Sequence, residues 1–318
     1  MNILSKVSTL GRLVRSGAWS TIRLRLLMLI AGWRLRLHEG KPFVNRDLGF
    51  RAVCHPDWPE SRTQFLGSVG DRFEFTIIRK WLHPGDWFVD AGANKGLFSF
   101  AALSAIGRTG GVLAIDADEF ACQKFKSAVA LLGAENASAL HAALTDAVGS
   151  ITFYVSERHT GSEMQSIHPT EGALRDGMQA VTVPTVDLRT VAARDLRGVD
   201  PVLIKMDIEG AETAALRGVP GHWLSVDGPL WMVEVNPGCL PAFGSSAREL
   251  CDLFRPEDFD RWLLPKHPVT ATASTAIRRL TDAETFQDSA YYNLLAVPRG
   301  QRWRDRRLSV SDYLPLQA

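Results

Sequence analysis

From residue 85 onward, runs of apolar residues alternate with stretches of helical spacing. "WFVD" (87–90), "GVLAID" (111–116), "ASALHAAL" (137–144), "PLWMVEV" (229–235) and "YYNLLAVP" (291–298) read as strands, and "PVLIKMD" (201–207) as a buried one. "SITFYV" (150–155) alternates apolar with polar positions, as a half-buried strand does, and "AVTVPTVDL" (180–188) is a further strand whose Pro184 marks an edge or a break. Between them, "KGLFSFAALSAIG" (95–107) predicts a helix ending at Gly107. Asp118 caps a second helix with Phe125, Val129 and Leu132 on one face, and "GAETAALRGV" (210–219) predicts a short third. Strand–helix alternation of this kind specifies an α/β fold, a doubly wound and mostly parallel sheet. Residues 156–180 are polar and read as a loop over one face.

The flanks have a different pattern. Residues 42–84 form a lead-in: "CHPDWPES" is loop, "RFEFTIIRKWL" is helix and "HPGD" is a turn. Residues 1–41 carry Lys6, Arg12, Arg15, Arg23, Arg25, Arg34, Arg36 and Lys41 against the single acid Glu39. Ile3, Val7, Leu10 and Val14 recur at helical spacing, as do Ile22, Leu26, Leu29 and Trp33. This extension reads as two helices packed on the rest of the chain, with peripheral contact to an anionic membrane surface as the alternative. The tail, 299–318, is basic through Arg302, Arg304, Arg306 and Arg307 and reads as a solvated end. The domain expected to carry the chemistry is thus 85–298.

Charge and cysteine usage narrow the function. A net charge of +1 over 318 residues argues against a nucleic-acid partner. Cys54, Cys122, Cys239 and Cys251 form no CxxC pair, which speaks against zinc and against a disulfide framework. "LLMLIAGW" (26–33) is too short to span a bilayer and lacks a small-residue cleavage site. A cytoplasmic location follows as the expectation.

The candidate chemistry begins at "WFVDAGANKGLFSF" (87–100). Asp90 stands at a strand end, and Gly92 and Gly96 let the backbone turn tightly and a ligand approach it. The spacing Asp90-x-Gly92-x-x-x-Gly96 does not match the G-x-G-x-x-G of nicotinamide dinucleotide sites. It is similar to the D/E-x-G-x-x-x-G loop of methyltransferases that use S-adenosylmethionine, a ligand with an ammonium end and a ribose end. A second acid, Asp116, closes the next strand, where ribose hydroxyls are held.

A second stretch, "VLIKMDIEGAETAALRGV" (202–219), resembles the FkbM family of S-adenosylmethionine-dependent methyltransferases, together with "VDAGANKG" (89–96), "AALTDAVGSITFYV" (142–155) and the closing "YYNLLAVP". The resemblance covers roughly residues 70–298 and omits the N-terminal 41. It implies a class I methyltransferase fold with a Rossmann-like sheet. It also implies methyl transfer to oxygen, with sugars, glycans and other natural-product hydroxyls as typical acceptors. Carried over by position, Asp90, Gly92, Ala93, Asn94 and Gly96 form the cofactor loop, Asp116 is the ribose acid, and Ala143 and Leu144 lie beside the adenine. Two positions depart from the family's pattern: Asp116-Ala117 where many relatives have Glu-Pro, and Lys95, which reads as a solvated lysine where relatives often carry an apolar residue.

Methyl transfer to a hydroxyl needs an acceptor oxygen placed behind the methyl group and a group to remove its proton. Asp207 and Glu209 follow the strand "VLIKM", and Glu234 ends another. These three are the candidate catalytic acids: a base, a hold on acceptor hydroxyls, or ligands for a divalent cation such as magnesium. Asp207 also reads as a cap for the helix that follows it, and Glu212 as a solvated acid or the partner of Arg217. His55, His83, His141, His159 and His168 are rival bases, with His141 expected to be packed inside a strand. Of the nine tryptophans, Trp58, Trp81, Trp87, Trp223 and Trp231 flank these segments and read as core rather than as sugar platforms. The alternatives to catalysis on a hydroxyl are a degenerate methyltransferase fold serving as a binding or assembly subunit, a nicotinamide oxidoreductase, and an RNA methyltransferase.

Overall fold

The structure, a computed structural model, describes residues 41–45, 49–53, 72–156, 178–265, 277–286 and 291–306. The chain divides into two compact units, residues 1–69 and 70–318. Of the first, a hairpin is described: β1 (Pro42–Asn45) pairs antiparallel with β2 (Phe50–Val53). The expectations for the basic extension, for "CHPDWPES", and for His55, Trp58, His159 and His168 fall outside the described residues.

The second unit opens with α1 (Arg72–Trp81), then β3 (Trp87–Ala91), α2 (Leu97–Ile106), β4 (Gly111–Asp116), α3 (Glu119–Leu132) and β5 (Ala137–His141). Asp118 caps α3 by accepting from the Phe120 N–H, as its position in the sequence predicts, and Gly133 ends it in the left-handed region. Helix α2 is apolar around much of its circumference. It packs on β3 and β4 and also against α1, where the Phe75 and Phe98 rings stack at 4.8 Å.

The remaining elements are β6 (Ala143–Leu144), β7 (Gly149–Ser156), β8 (Met178–Val186), α4 (Leu188–Arg194), β9 (Leu203–Met206), α5 (Glu212–Arg217), β10 (Leu230–Val235), α6 (Ala247–Asp252), β11 (Phe259–Pro265), β12 (Arg278–Arg279), β13 (Tyr292–Pro298) and α7 (Gln301–Arg304). The main sheet runs β12-β11-β13-β10-β9-β3-β4-β5. Pairs from β10 to β5 are parallel, and β13 is inserted antiparallel between β10 and β11. Every residue of β9 and β10 is buried, as a strand covered on both faces requires. The core joins Val89, Leu113, Ile204, Trp231 and Val233 of the sheet to Phe254 beyond α6. The doubly wound, mostly parallel sheet is therefore the one its sequence pattern specifies.

Three features correct the sequence expectations. The segment 137–144 is two strands: β5 stays in the main sheet, while β6 leaves it for a three-stranded sheet, β6-β8-β7. Ala142, between them, donates its N–H to the Asp116 carbonyl, so the chain turns where β4 ends. Strand β8 begins at Met178, inside the segment read as loop. It is the middle strand of its sheet, yet β6 covers it only at Thr185 and Val186, so Pro184 pairs on the β7 side alone. The tail is packed rather than solvated as far as Arg306. Trp303 is fully buried and donates to the Gly228 carbonyl, and Arg306 forks onto the Asp86 carboxylate at 2.7 and 3.0 Å.

Candidate active site

The sheet order reverses beside β3, whose neighbours β9 and β4 continue the chain on opposite sides. In an open α/β sheet this is where a crevice forms beyond the strand ends. Two segments meet there: the loop from Asp90 to Gly96, and the turn from Asp207 to Gly210 that follows β9.

The loop is held from below. Gly92 and Ala93 donate their N–H groups to the Ile115 carbonyl at 2.8 and 3.1 Å, and the Asn94 N–H donates to Asp116 Oδ2 at 2.6 Å. Gly92, Asn94 and Gly96 have φ of 73, 50 and 86°. The neighbours that demand glycine are protein atoms. A Cβ on Gly92 would lie 1.7 Å from the Asp207 carbonyl oxygen, and one on Gly96 would lie 2.1 Å from the Phe125 ring. The sequence reading gave that space to a ligand; in the structure the end of β9 and the face of α3 fill it. Lys95 is buried, at 5 % exposure, instead of solvated.

The two acids of the loop differ in setting. Asp90 is fully buried beneath the loop, where Oδ2 accepts from Ser99 Oγ at 2.7 Å, and burial raises its pKa above the usual carboxylate range. Asp116 lies half-buried at the end of β4. Its two oxygens each accept one backbone N–H, from Asn94 and Asp118, and burial pushes its pKa up to about 6. Each carboxylate oxygen has a further lone pair, so a hydroxyl donor can be added. Ala143 and Leu144 are buried in β6, beyond the turn that Asp116 anchors. An acid with spare acceptor capacity, a tight loop beside it and an adjoining apolar strand fit an adenosine-bearing cofactor such as S-adenosylmethionine.

Beside the loop, Asp207, Glu209 and Glu234 come together, with one carboxylate oxygen from each within 4.8 Å of the others. Asp207 and Glu209 are half-buried; Glu234, at the end of β10, is buried. Glu209 is in the left-handed region at φ 56°. Their combined field reaches Cys239, whose thiol is pushed up to about 11 by burial first, then by Glu209, Glu234, Glu212 and Asp207. This grouping can hold a hydroxyl by hydrogen bonds and accept its proton.

Glu212 corrects the reading that made it solvated or a partner of Arg217. It is fully buried, and its Oε1 accepts the N–H groups of Ile208 and Gly210 at 2.9 and 3.3 Å. It holds the turn that presents Asp207 and Glu209, in the place where Asp207 was read as the cap. Burial pushes it up to about 7. Lys205 is the other side chain at the site that sequence reasoning passed over, although a lone lysine inside "VLIKM" is a usable signal. It is 5 % exposed, with Nζ 3.8 Å from Asp90 and 3.6 Å from Asp207. His141 is half-buried, with Nε2 3.0 Å from the Ala117 carbonyl, and His83 is exposed on a turn. Trp81, Trp223 and Trp231 are core, as read.

Comparison with known proteins adds a family match. A model described as "Methyltransferase FkbM domain" matches residues 90–261, more than half of the chain and all of the site. No curated protein sequence matches. Among solved structures, the chain is similar to a SAM-dependent O-methyltransferase from Thermotoga maritima (11% identity, 71% of this chain and 64% of that one, TM-score 0.36). It is also similar to a precorrin-6y C5,15-methyltransferase from Geobacter metallireducens (10%, 70% and 86%, TM-score 0.36). A third is an rRNA methylase from Streptococcus thermophilus (12%, 70% and 93%, TM-score 0.35). The chain thus spans less than two thirds of the Thermotoga protein. Likeness at this level says nothing of substrate.

Proposed function

Because this chain belongs to the FkbM family of S-adenosylmethionine-dependent methyltransferases, we propose that it methylates a hydroxyl oxygen, on a sugar, glycan or other natural product. One observation carries the reading: Asp207, Glu209 and Glu234 gather beside the Asp90–Gly96 loop, with the Asp207 carbonyl against Gly92. Several carboxylates in one place suit an acceptor with several hydroxyls, which they can orient by accepting hydrogen bonds.

When bound, the cofactor supplies a methyl group already activated on a sulfonium. The chain's task is to hold and deprotonate. Asp116 accepts ribose hydroxyls, with Ala143 and Leu144 as the apolar wall for the adenine. Gly92, Ala93, Asn94 and Gly96 shape the floor, while Asp90 sits beneath it. Asp207 takes the acceptor proton at its carboxylate, and Glu209 and Glu234 fix the acceptor's orientation. The balanced net charge fits a small or glycan acceptor better than a nucleic acid. Among the described residues, no helix is long and apolar enough to cross a membrane. Peripheral contact of the basic extension with a membrane stays a proposal, to be tested by liposome binding with and without residues 1–41.

The experiment is a calorimetric titration with S-adenosylhomocysteine of the wild type, Asp90→Ala and Asp116→Ala. Binding by the wild type that is weakened in both variants supports the loop as the cofactor site. A folded wild type that does not bind returns the fold to a non-catalytic binding role.

A further inference from the structure

Lys205 has no part in the steps above, yet it is a charged side chain buried in the site. It occupies the third position of β9, a strand with no exposed residue. An ammonium is tolerated there only against opposite charge. The parallel register sets Lys205 directly opposite Asp90, so both side chains leave the sheet on the same face, toward α2. Its Nζ lies 3.8 Å from Asp90 Oδ1 and 3.6 Å from Asp207 Oδ2, and 4.7 Å from the centre of the Phe98 ring. Asp90 Oδ1 is buried and accepts no hydrogen bond. Lys205 is the strongest influence opposing the burial of Asp90; Ser99 of α2 adds to it, and Asp207 works against it. Asp116 on β4 in turn feels the charge of Asp90. One ammonium is thus set between the acid under the loop and the acid at the crevice.

The position matters for a ligand whose charge changes in the reaction. S-adenosylmethionine is a cation at sulfur, and S-adenosylhomocysteine is a neutral thioether. Asp90, Asp207, Glu209 and Glu234 together favour the cation, and would hold it against the loss of charge that methyl transfer brings. We propose that Lys205 is a specificity-determining residue which sets, by its charge beneath the loop, how strongly the site prefers the cationic cofactor over the neutral product. The inference rests on the reading of the loop as the cofactor site.

The test compares dissociation constants for S-adenosylmethionine and S-adenosylhomocysteine, by calorimetry at pH 7.0 and 8.5. In Lys205→Met the affinity ratio moves toward the cation by at least about threefold at pH 8.5, the scale of one unit charge acting through a partly buried path. Burial already raises the Asp90 pKa and loss of the ammonium raises it further, so the ratio is read at both pH values. A second pair covers the case in which that variant does not fold: in Asp90→Asn the ratio moves toward the neutral product, and adding Lys205→Met moves it back by about the same factor. A purely structural lysine would weaken both ligands alike and leave the ratio where it was. An unchanged ratio in both backgrounds overturns the inference while the cofactor site stands. A folded wild type that binds neither ligand overturns both together.

Discussion

Gly92→Ala tests the tie between the loop and the end of β9. The added Cβ would sit 1.7 Å from the Asp207 carbonyl oxygen and 2.7 Å from its carbonyl carbon, both backbone atoms of an adjacent strand end. Ordinary contact needs roughly 3.4 Å, so the loop and strand must separate by well over 1 Å, and no side-chain rotation can relieve it. The positive φ of 73° adds left-handed strain of about 1–2 kcal/mol. With overpacking of about 1–3 kcal/mol, the total is roughly 2–5 kcal/mol, a large share of a domain's usual stability. For a domain of this size that lowers Tm by about 10 °C. Gly133→Ala is the control: it has a similar φ, 62°, with nothing within 4 Å, so it carries the strain alone. Urea denaturation of the two variants isolates the crowding as their difference, and S-adenosylhomocysteine affinity reports the moved loop. If Gly92→Ala is no less stable than Gly133→Ala and binds as well as wild type, the close approach of Asp207 is not what requires glycine.

Three further outcomes follow from the same geometry. Glu212 has its folded pKa raised from 4.5 to about 7, so the folded state holds a proton that the unfolded state releases; stability therefore falls by up to about 3 kcal/mol as pH rises through the window from about 4.5 to 7. Glu212→Gln removes that slope in urea denaturation at pH 5 and 8, and an unaltered slope would assign it to another group, such as Asp116 with its window below about 6. Asp207→Asn abolishes methyl transfer while S-adenosylhomocysteine affinity changes by less than about threefold; full turnover with intact binding would remove Asp207 from the chemistry. Trp303→Ala costs about 3–5 kcal/mol by thermal melting, because a fully buried indole and its bond to the Gly228 carbonyl are lost together; a loss under about 1 kcal/mol would return the tail to a solvated end.

The parallel strands were legible because burial on both faces leaves continuous apolar runs, and the α3 start because Asp118 must sit outside the helix it caps. The acids Asp90, Asp116, Asp207, Glu209 and Glu234 were legible for a related reason: each falls at the end of such a run, and that is the edge where an α/β sheet opens to a ligand. Strand β11 and helices α4 and α6 left weaker signals, being short and mixed in polarity. Register is the part that periodicity does not encode. Only the pairing of β3 with β9 puts Lys205 opposite Asp90, and only the passage of β9 under the loop shows that Gly92 yields to the Asp207 carbonyl. Likewise, Glu212 looks like any helix-start acid until the turn folds back over it. Which residues stand at the strand ends is local chemistry written along the chain; which of them share a charge or a contact is decided by tertiary packing, which brings Lys205 to Asp90 and Asp207 to Gly92 from more than a hundred residues away.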